Sequence, residues 1–486
     1  MPPHRTHHEG KMPTHRIHSA ANLHDPPSVS SSRQPVVTNI TLWRSHAMKI
    51  KKLHALLALA LSVSLVGVGC DKKEEAKTDE KAEAEGAAEE AAPEIKADKG
   101  VDLESKTIHV GALNDTSGPA VAIGKPFAVG KKLVAERVNA GEVLPEGWKV
   151  EMHNKDHGYN PQKALQGYKE MSDDVLYVAT SFGTPPTLQV RPMLERDKVV
   201  AFPASLSEQL AQNEFTPPTG PTYKMETMRA FDWAVEHAKK GGKEFKPGII
   251  YQADDYGKDG IDGMKQAAKA HGVEIVAEAS IKPGEKEVTA AVKKLKDAGA
   301  NYVMLTLLPS SAAPVLGKAA QLEYQPVFMG NTPTWVDAFF SDKSPAPPQI
   351  FANFHWVTGF PYWGEDVPGM KEFEAAFDKH AKDQPRDFYV LVSYIQGLAQ
   401  AEILKRAIEN KDLTREGFVT AMHSIEDWNA DGLIQPISLE KVPYVTGTKT
   451  RVLKPNFEKK TWEVAGDYKT PKAFEGAGDK QAKKDE

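Results

Sequence analysis

Residues 247–280 read PGIIYQADDYGKDGIDGMKQAAKAHGVEIVAEAS. The branched-aliphatic runs at its two ends have the length and composition of buried strands. Between them Ile261, Met264 and Ala268 recur at i, i+3 and i+7, the period of one helix face. Strand, helix and strand in one short stretch make a βαβ unit, whose crossover is right-handed and whose strands run parallel.

The same alternation extends in both directions. TIHVGALN, KVEMHNKD, VLYVATS and KVVAFPAS read as strands in the first half, with PGIIYQADD, VEIVAEAS, NYVMLTLL and PVFMGNT in the second. Val288, Val292 and Leu295 mark one further helix face and Val315, Ala319 and Leu322 another; Gly299 stands where a left-handed helix cap is expected. Two such series predict an α/β fold of two doubly wound lobes, each a mostly parallel sheet covered on both faces. Ligands in this architecture bind beyond the carboxyl ends of the strands, at the switch point of each sheet. The loops NDTSGPAVAIG, SFGTPPT, PASLS, DDYGKDG and LLPSS stand at those ends. Their hydroxyls and helix-start amides can hold a carboxylate or amide. Each is also ordinary turn chemistry, and it is their recurrence at successive strand ends that points to a site.

The composition sets bounds. The chain has 486 residues, 40% of them hydrophobic, a formal charge of −5 and one cysteine. That is length for one or two domains plus unfolded sequence. The small charge suggests no nucleic-acid partner, and a single thiol allows no intramolecular disulfide.

The cysteine, Cys70, ends MKIKKLHALLALALSVSLVGVGC, residues 48–70: a basic start, an apolar run over 53–66, then small residues. This is the order of a secretory signal, and the run is short of the about 20 residues a permanent transmembrane helix needs. Residues 70–105 are expected to be a tether from Cys70, because over 71–100 the chain has 11 acidic and 6 basic residues, no aromatic residue and Ile95 as its one branched aliphatic. Residues 1–47 are rich in His, Pro and Ser without a hydrophobic period. They read as a disordered or non-native extension, since an n-region works only near a true N-terminus; a His-rich tract is also able to bind metal. Residues 469–486 read as a polar disordered tail.

Gly67, Val68 and Gly69 before Cys70 resemble a bacterial lipobox, with Gly67 where leucine is usual. The resemblance implies acylation of Cys70 after cleavage over residues 48–69, and Asp71 resembles an inner-membrane retention signal. A plain secreted protein with an incidental cysteine is the alternative.

Across residues 106–468, the segments IHVGALNDTSGPAVAIGKPFAVGKKLVAERVNA, SFGTPPTLQVRPMLERDKVVAFPAS, IIYQADDYGKDGIDGMKQAAKAHG and DFYVLVSYIQGLAQAEILKRAIENKDLTREGF resemble, in order and spacing, the type I periplasmic solute-binding proteins of ABC importers. The likeness is to the branched-chain amino-acid and amide group, that of Leu/Ile/Val-binding-like lipoproteins. It implies two lobes joined by a three-segment hinge that closes on a solute. Lobe 1 is expected over about 106–205 and 355–440 and lobe 2 over about 230–330, with the second crossing between Gly330 and Phe354. It implies a monomer, anchored by lipid on the periplasmic side of a bacterial inner membrane, with an ABC permease as partner and no nucleic acid, cofactor or metal. The ligand positions it implies are Gly183 and Thr184, then Ala204 and Ser205 followed by Leu206, with Tyr256 closing over the ligand and Ile123 in the side-chain pocket. Two positions depart from the pattern. Thr332 stands where amino-acid binders carry a carboxylate for the ligand's ammonium, and Leu308 stands where a tyrosine is expected. A buried ammonium without a charged partner is costly, so a carboxylate or amide with an apolar body fits as well as leucine.

Other classes find less support. GPAVAIGK is no phosphate loop: five residues separate Gly118 from Gly124, and Pro126 follows Lys125 where Ser or Thr would ligate magnesium. Without a GxGxxG, HExxH, GxSxG or CxxC pair, the reading is a non-enzyme. A ligand-sensing lipoprotein signalling to a receptor is the alternative, and an enzyme using the same cleft a weaker one.

Overall fold

Valine and isoleucine runs bounded by glycine and proline favour pleated backbone, and the order in which they pair decides where a cleft lies. The computed structural model describes residues 94–145 and 147–474; Cys70 and the expected extension and signal lie outside them. The first lobe is built from β1 (Lys96–Ala97), β2 (Val101–Asp102), β3 (Thr107–Asn114), α1 (Val121–Asn139), β4 (Lys149–Asp156), α2 (Pro161–Met171), β5 (Tyr177–Phe182), α3 (Thr184–Asp197), β6 (Ala201–Ala204) and the short α4 (Glu208–Ala211). The chain then enters the second lobe: α5 (Tyr223–Lys240), β7 (Pro247–Gln252), α6 (Asp255–His271), β8 (Ala277–Ile281), α7 (Thr289–Asp297), β9 (Tyr302–Thr306), α8 (Pro309–Gln321), β10 (Val327–Gly330) and β11 (Phe354–Thr358). It returns through α9 (Met370–His380), α10 (Phe388–Glu409), β12 (Asp412–Leu413) and α11 (Arg415–His423), and ends on β13 (Thr450–Asn456) and β14 (Thr461–Lys469) in the second lobe.

Both sheets are wound alike. The first runs β4-β3-β5-β6 in parallel, with β2 antiparallel to the start of β3. The second runs β8-β7-β9-β10-β11 in parallel, extended by antiparallel β13 and β14. Each therefore has its switch point between its first and third parallel strands, β3 and β5 in one lobe, β7 and β9 in the other. β5 and β9 are buried along their whole length, as strands covered on both faces must be. Helix α10 is apolar nearly all round and packs inside the first lobe against α1. Gly299 adopts φ +68°, the left-handed cap expected of it.

The element positions correct three boundaries. Order begins before residue 106: β1 pairs with β12, Lys96 opposite Asp412, a partnership too distant in sequence for local pattern to reveal. Strand β11, expected with the first lobe, pairs with β10 in the second sheet, so the second crossing follows Thr358 and does not lie between Gly330 and Phe354. The C-terminal segment stays attached beyond residue 469, where the Lys472 amide donates to Asp232 at 2.8 Å.

Candidate functional site

The strand ends converge on one cavity, with about 620 Å³ of empty space including its mouth. All eight ligand positions expected from the sequence line it. Ile123, Gly183, Thr184, Ala204 and Ser205 come from the first lobe, and Tyr256, Leu308 and Thr332 from the second. Leu206 joins them.

The polar end is at the start of α3. Gly183 holds φ +87°, and a side chain there would drive its Cβ to 2.6 Å from the Tyr159 ring. This turn sets Thr184 at the first helical position, where its hydroxyl is hydrogen-bonded to that of Ser205 at 2.7 Å. Pro185 and Pro186 have no N–H, so Thr184 supplies the amide of a helix start whose positive dipole end favours an anion. The far walls are apolar, formed by Ile123, Phe127, Phe182, Leu206, Leu308 and Val392.

No described lining residue is Asp, Glu, Lys or Arg. Ionisable groups sit one residue behind the wall. On the second-lobe side Glu226, fully buried on α5, accepts from the Thr332 amide at 2.8 Å and meets the Thr332 hydroxyl. That hydroxyl is also 2.9 Å from Thr358 Oγ1. Burial pushes the Glu226 carboxyl up to about 8, and Thr332 donates to it from both its amide and its hydroxyl. On the first-lobe side the buried Lys131 donates to Gln396 Oε1 at 3.0 Å, and Gln396, a lining residue, donates to the Pro203 carbonyl at 2.9 Å. Burial holds the Lys131 amine well below its ordinary pKa.

Hydrogen bonds cross between the lobes around the cavity. Gln252 at the end of β7 donates to the Tyr159 hydroxyl at 3.3 Å, and Ser310 on α8 donates to the Pro119 carbonyl at 2.9 Å. The Tyr389 hydroxyl on α10 reaches the carbonyls of Thr332 at 2.7 Å and Trp335 at 2.9 Å. Tyr256 donates to Asn331 Oδ1 at 2.7 Å and packs edge-on against Tyr223, with ring centroids 4.9 Å apart. Sequence reasoning missed Tyr159, Tyr223, Tyr389, Gln396 and Glu226. The last four lie within helices, outside the strand-end loops where the site was sought. The aromatic run over 353–363 is core: Trp356 and Phe360 are fully buried, and neither lines the cavity.

A family model described as periplasmic binding protein matches residues 107–442. The chain belongs to that family. It is 23% identical over 305 residues to the Leu/Ile/Val-binding protein homolog 8 of Brucella abortus, covering 59% of this chain and 73% of the relative. Among solved structures it resembles the fatty acid ABC transporter substrate-binding protein from Thermomonospora curvata, at 27% identity and a TM-score of 0.72, covering 78% of this chain and 96% of that one. A branched-chain amino-acid ABC transporter protein from Thermus thermophilus with bound valine shares the fold at 18% identity and a TM-score of 0.67, covering 76% of this chain and 98% of that one. The type I periplasmic binding protein resemblance and the α/β fold read from the sequence are thereby borne out. Members of the family are substrate-binding proteins.

Proposed function

We propose that this member of the family is the extracytoplasmic solute-binding lipoprotein of an ABC-type importer, and that its solute is a small carboxylate with an apolar body, shut between the lobes by hinge closure. The observation that carries the reading is the pairing of Thr184 and Ser205 hydroxyls at a helix start with a mostly apolar cavity that has no charged residue among its described lining. A carboxylate finds donors and a favourable dipole there, while an ammonium finds no facing counter-charge. That the Thermomonospora protein is described as a fatty acid binder supports an apolar carboxylate. In this reading Cys70 carries the lipid that holds the monomer on the periplasmic face of the inner membrane, beside its permease; durable anchoring then rests on more than one acyl chain.

A branched-chain amino acid is the second reading, favoured by Glu226 behind Thr332 and by the names of the Brucella relatives. Mass spectrometry of small molecules released from the denatured protein, followed by calorimetric titration of those found and of leucine, isoleucine and valine, separates the two. The first reading expects carboxylates without an amine; tighter binding of the amino acids overturns it in favour of the second. Ser205→Ala removes one donor to a charged group, a loss of about 1.5–3 kcal/mol or roughly tenfold or more in affinity. Unchanged affinity in both Ser205→Ala and Thr184→Ala would place the ligand elsewhere.

A further inference from the structure

A second cluster of chemistry-bearing side chains lies away from the cavity, on the neighbouring strands β3 and β4. The parallel register sets His109 opposite Glu151 and Gly111 opposite His153. Residues two apart on a strand share a face, so His109, Glu151 and His153 all project from the side of the sheet against which α2 packs. Opposite His153 stands a glycine, and a Cβ there would come 2.6 Å from Met171 Sδ. The bare backbone leaves room for His109 to lean toward His153, with the rings edge-on at 81° and His109 Nδ1 3.1 Å from His153 Nε2. The same Nδ1 is 3.6 Å from Glu151 Oε2, and the three donor atoms all lie within 4.8 Å of one another. Helix α2 ends at Met171 and leaves this patch open, rimmed by Asp102, Asp173 and Asp174.

We propose that His109, Glu151 and His153 form a binding site for a divalent transition metal, with Zn²⁺ the best chemical match. One nitrogen cannot satisfy a second imidazole and a carboxylate with a single proton, but one cation can take all three donors. At zinc–nitrogen and zinc–oxygen lengths of about 2.0–2.2 Å, tetrahedral ligands stand roughly 3.3–3.6 Å apart, close to the 3.1 and 3.6 Å seen here. Two neutral imidazoles and a carboxylate suit zinc, copper or nickel and disfavour calcium or magnesium, which take oxygen ligands. Three protein ligands leave a fourth position for water or for a group brought by another molecule. The acidic rim draws in a cation. The site belongs to neither the cavity nor the hinge, and its ligands tie β3 to the edge strand β4.

The test uses the full chain and a readout resolved by residue, because the His-rich residues 1–47 offer imidazoles of their own. Zn²⁺ is titrated while carbethoxylation of each histidine by diethyl pyrocarbonate is followed by peptide mass spectrometry. His109 and His153 are expected to become protected together. Their modification at unchanged rates throughout the titration would overturn the proposal. Glu151→Gln, at an exposed position whose change leaves the fold intact, is expected to raise the zinc concentration for half-protection by roughly tenfold or more. His153→Asn is expected to abolish protection of His109. Protection that persists unaltered in both variants would show that the imidazoles are shielded by something other than a shared metal.

Discussion

Lys131 and Glu226 pose one problem with opposite signs on opposite sides of the cavity. Each is a long ionisable side chain on a helix, fully enclosed, one residue behind the wall: the lysine behind Gln396 in the first lobe, the glutamate behind Thr332 in the second. Neither has an ion-pair partner among the described residues, and burial pushes each toward its neutral form. The glutamate is built into a donor–acceptor chain through Thr332 and Thr358, whereas the lysine has one amide oxygen and the Phe127 ring, 5.7 Å from its Nζ to the centroid. The cavity wall therefore presents neutral amide and hydroxyl groups on both sides, and the two lobes hold their buried ionisable groups with unequal support.

The comparison predicts a hierarchy of effects. Lys131→Met is expected to stabilise the protein by about 1–4 kcal/mol at neutral pH, because an apolar chain of similar length replaces a poorly supported buried amine; denaturant titration reads it, and a loss of stability would mean that the lysine has support beyond Gln396. Thr332→Val has the opposite sign, a loss of about 1–3 kcal/mol, since the Glu226 carboxyl loses its hydroxyl partner.

The pH slopes of the two groups are opposed as well. Glu226 is raised in the folded state from 4.5 to about 8, so between these values the folded chain holds the proton that the unfolded chain has lost. Stability from this group is therefore present below about 4.5 and declines as pH rises to about 8, at no more than about 1.4 kcal/mol per pH unit. Lys131 is lowered well below 10.5, so between its folded value and 10.5 the unfolded chain holds the extra proton, and across that window this contribution rises with pH. Thermal melts at stepped pH should show Glu226→Gln flattening the first slope and Lys131→Met the second. Equal slopes in variant and parent would show the groups to be solvated in the folded state.

What was legible depended on the range of the interaction. Ile261, Met264 and Ala268 face the core of the second lobe as their spacing requires, and Gly299 caps as glycine there must, because these features are set within a few residues. The eight cavity positions were reached through the strand-end loops and the family resemblance together. Tyr389 was missed because α10 arrives from far along the chain to meet Thr332. β1 was missed for the same reason, since its two residues become a strand only against β12. Residues from 355 onward were expected in the first lobe because nothing local to FHWVT tells which sheet it joins; its hydrogen-bond partner β10 decides.

The amino-acid sequence alone determined the βαβ alternation, the two lobes and the loops that would face each other, because hydrophobic period and turn chemistry are local properties of backbone and side chain. Tertiary structure alone decided that the cavity is uncharged at its surface and that a lysine and a glutamate stand just behind it. It also set two histidines and a glutamate of neighbouring strands within reach of a single ion. Those outcomes depend on sheet register and on which helix faces are covered, quantities fixed by packing between segments far apart in the chain.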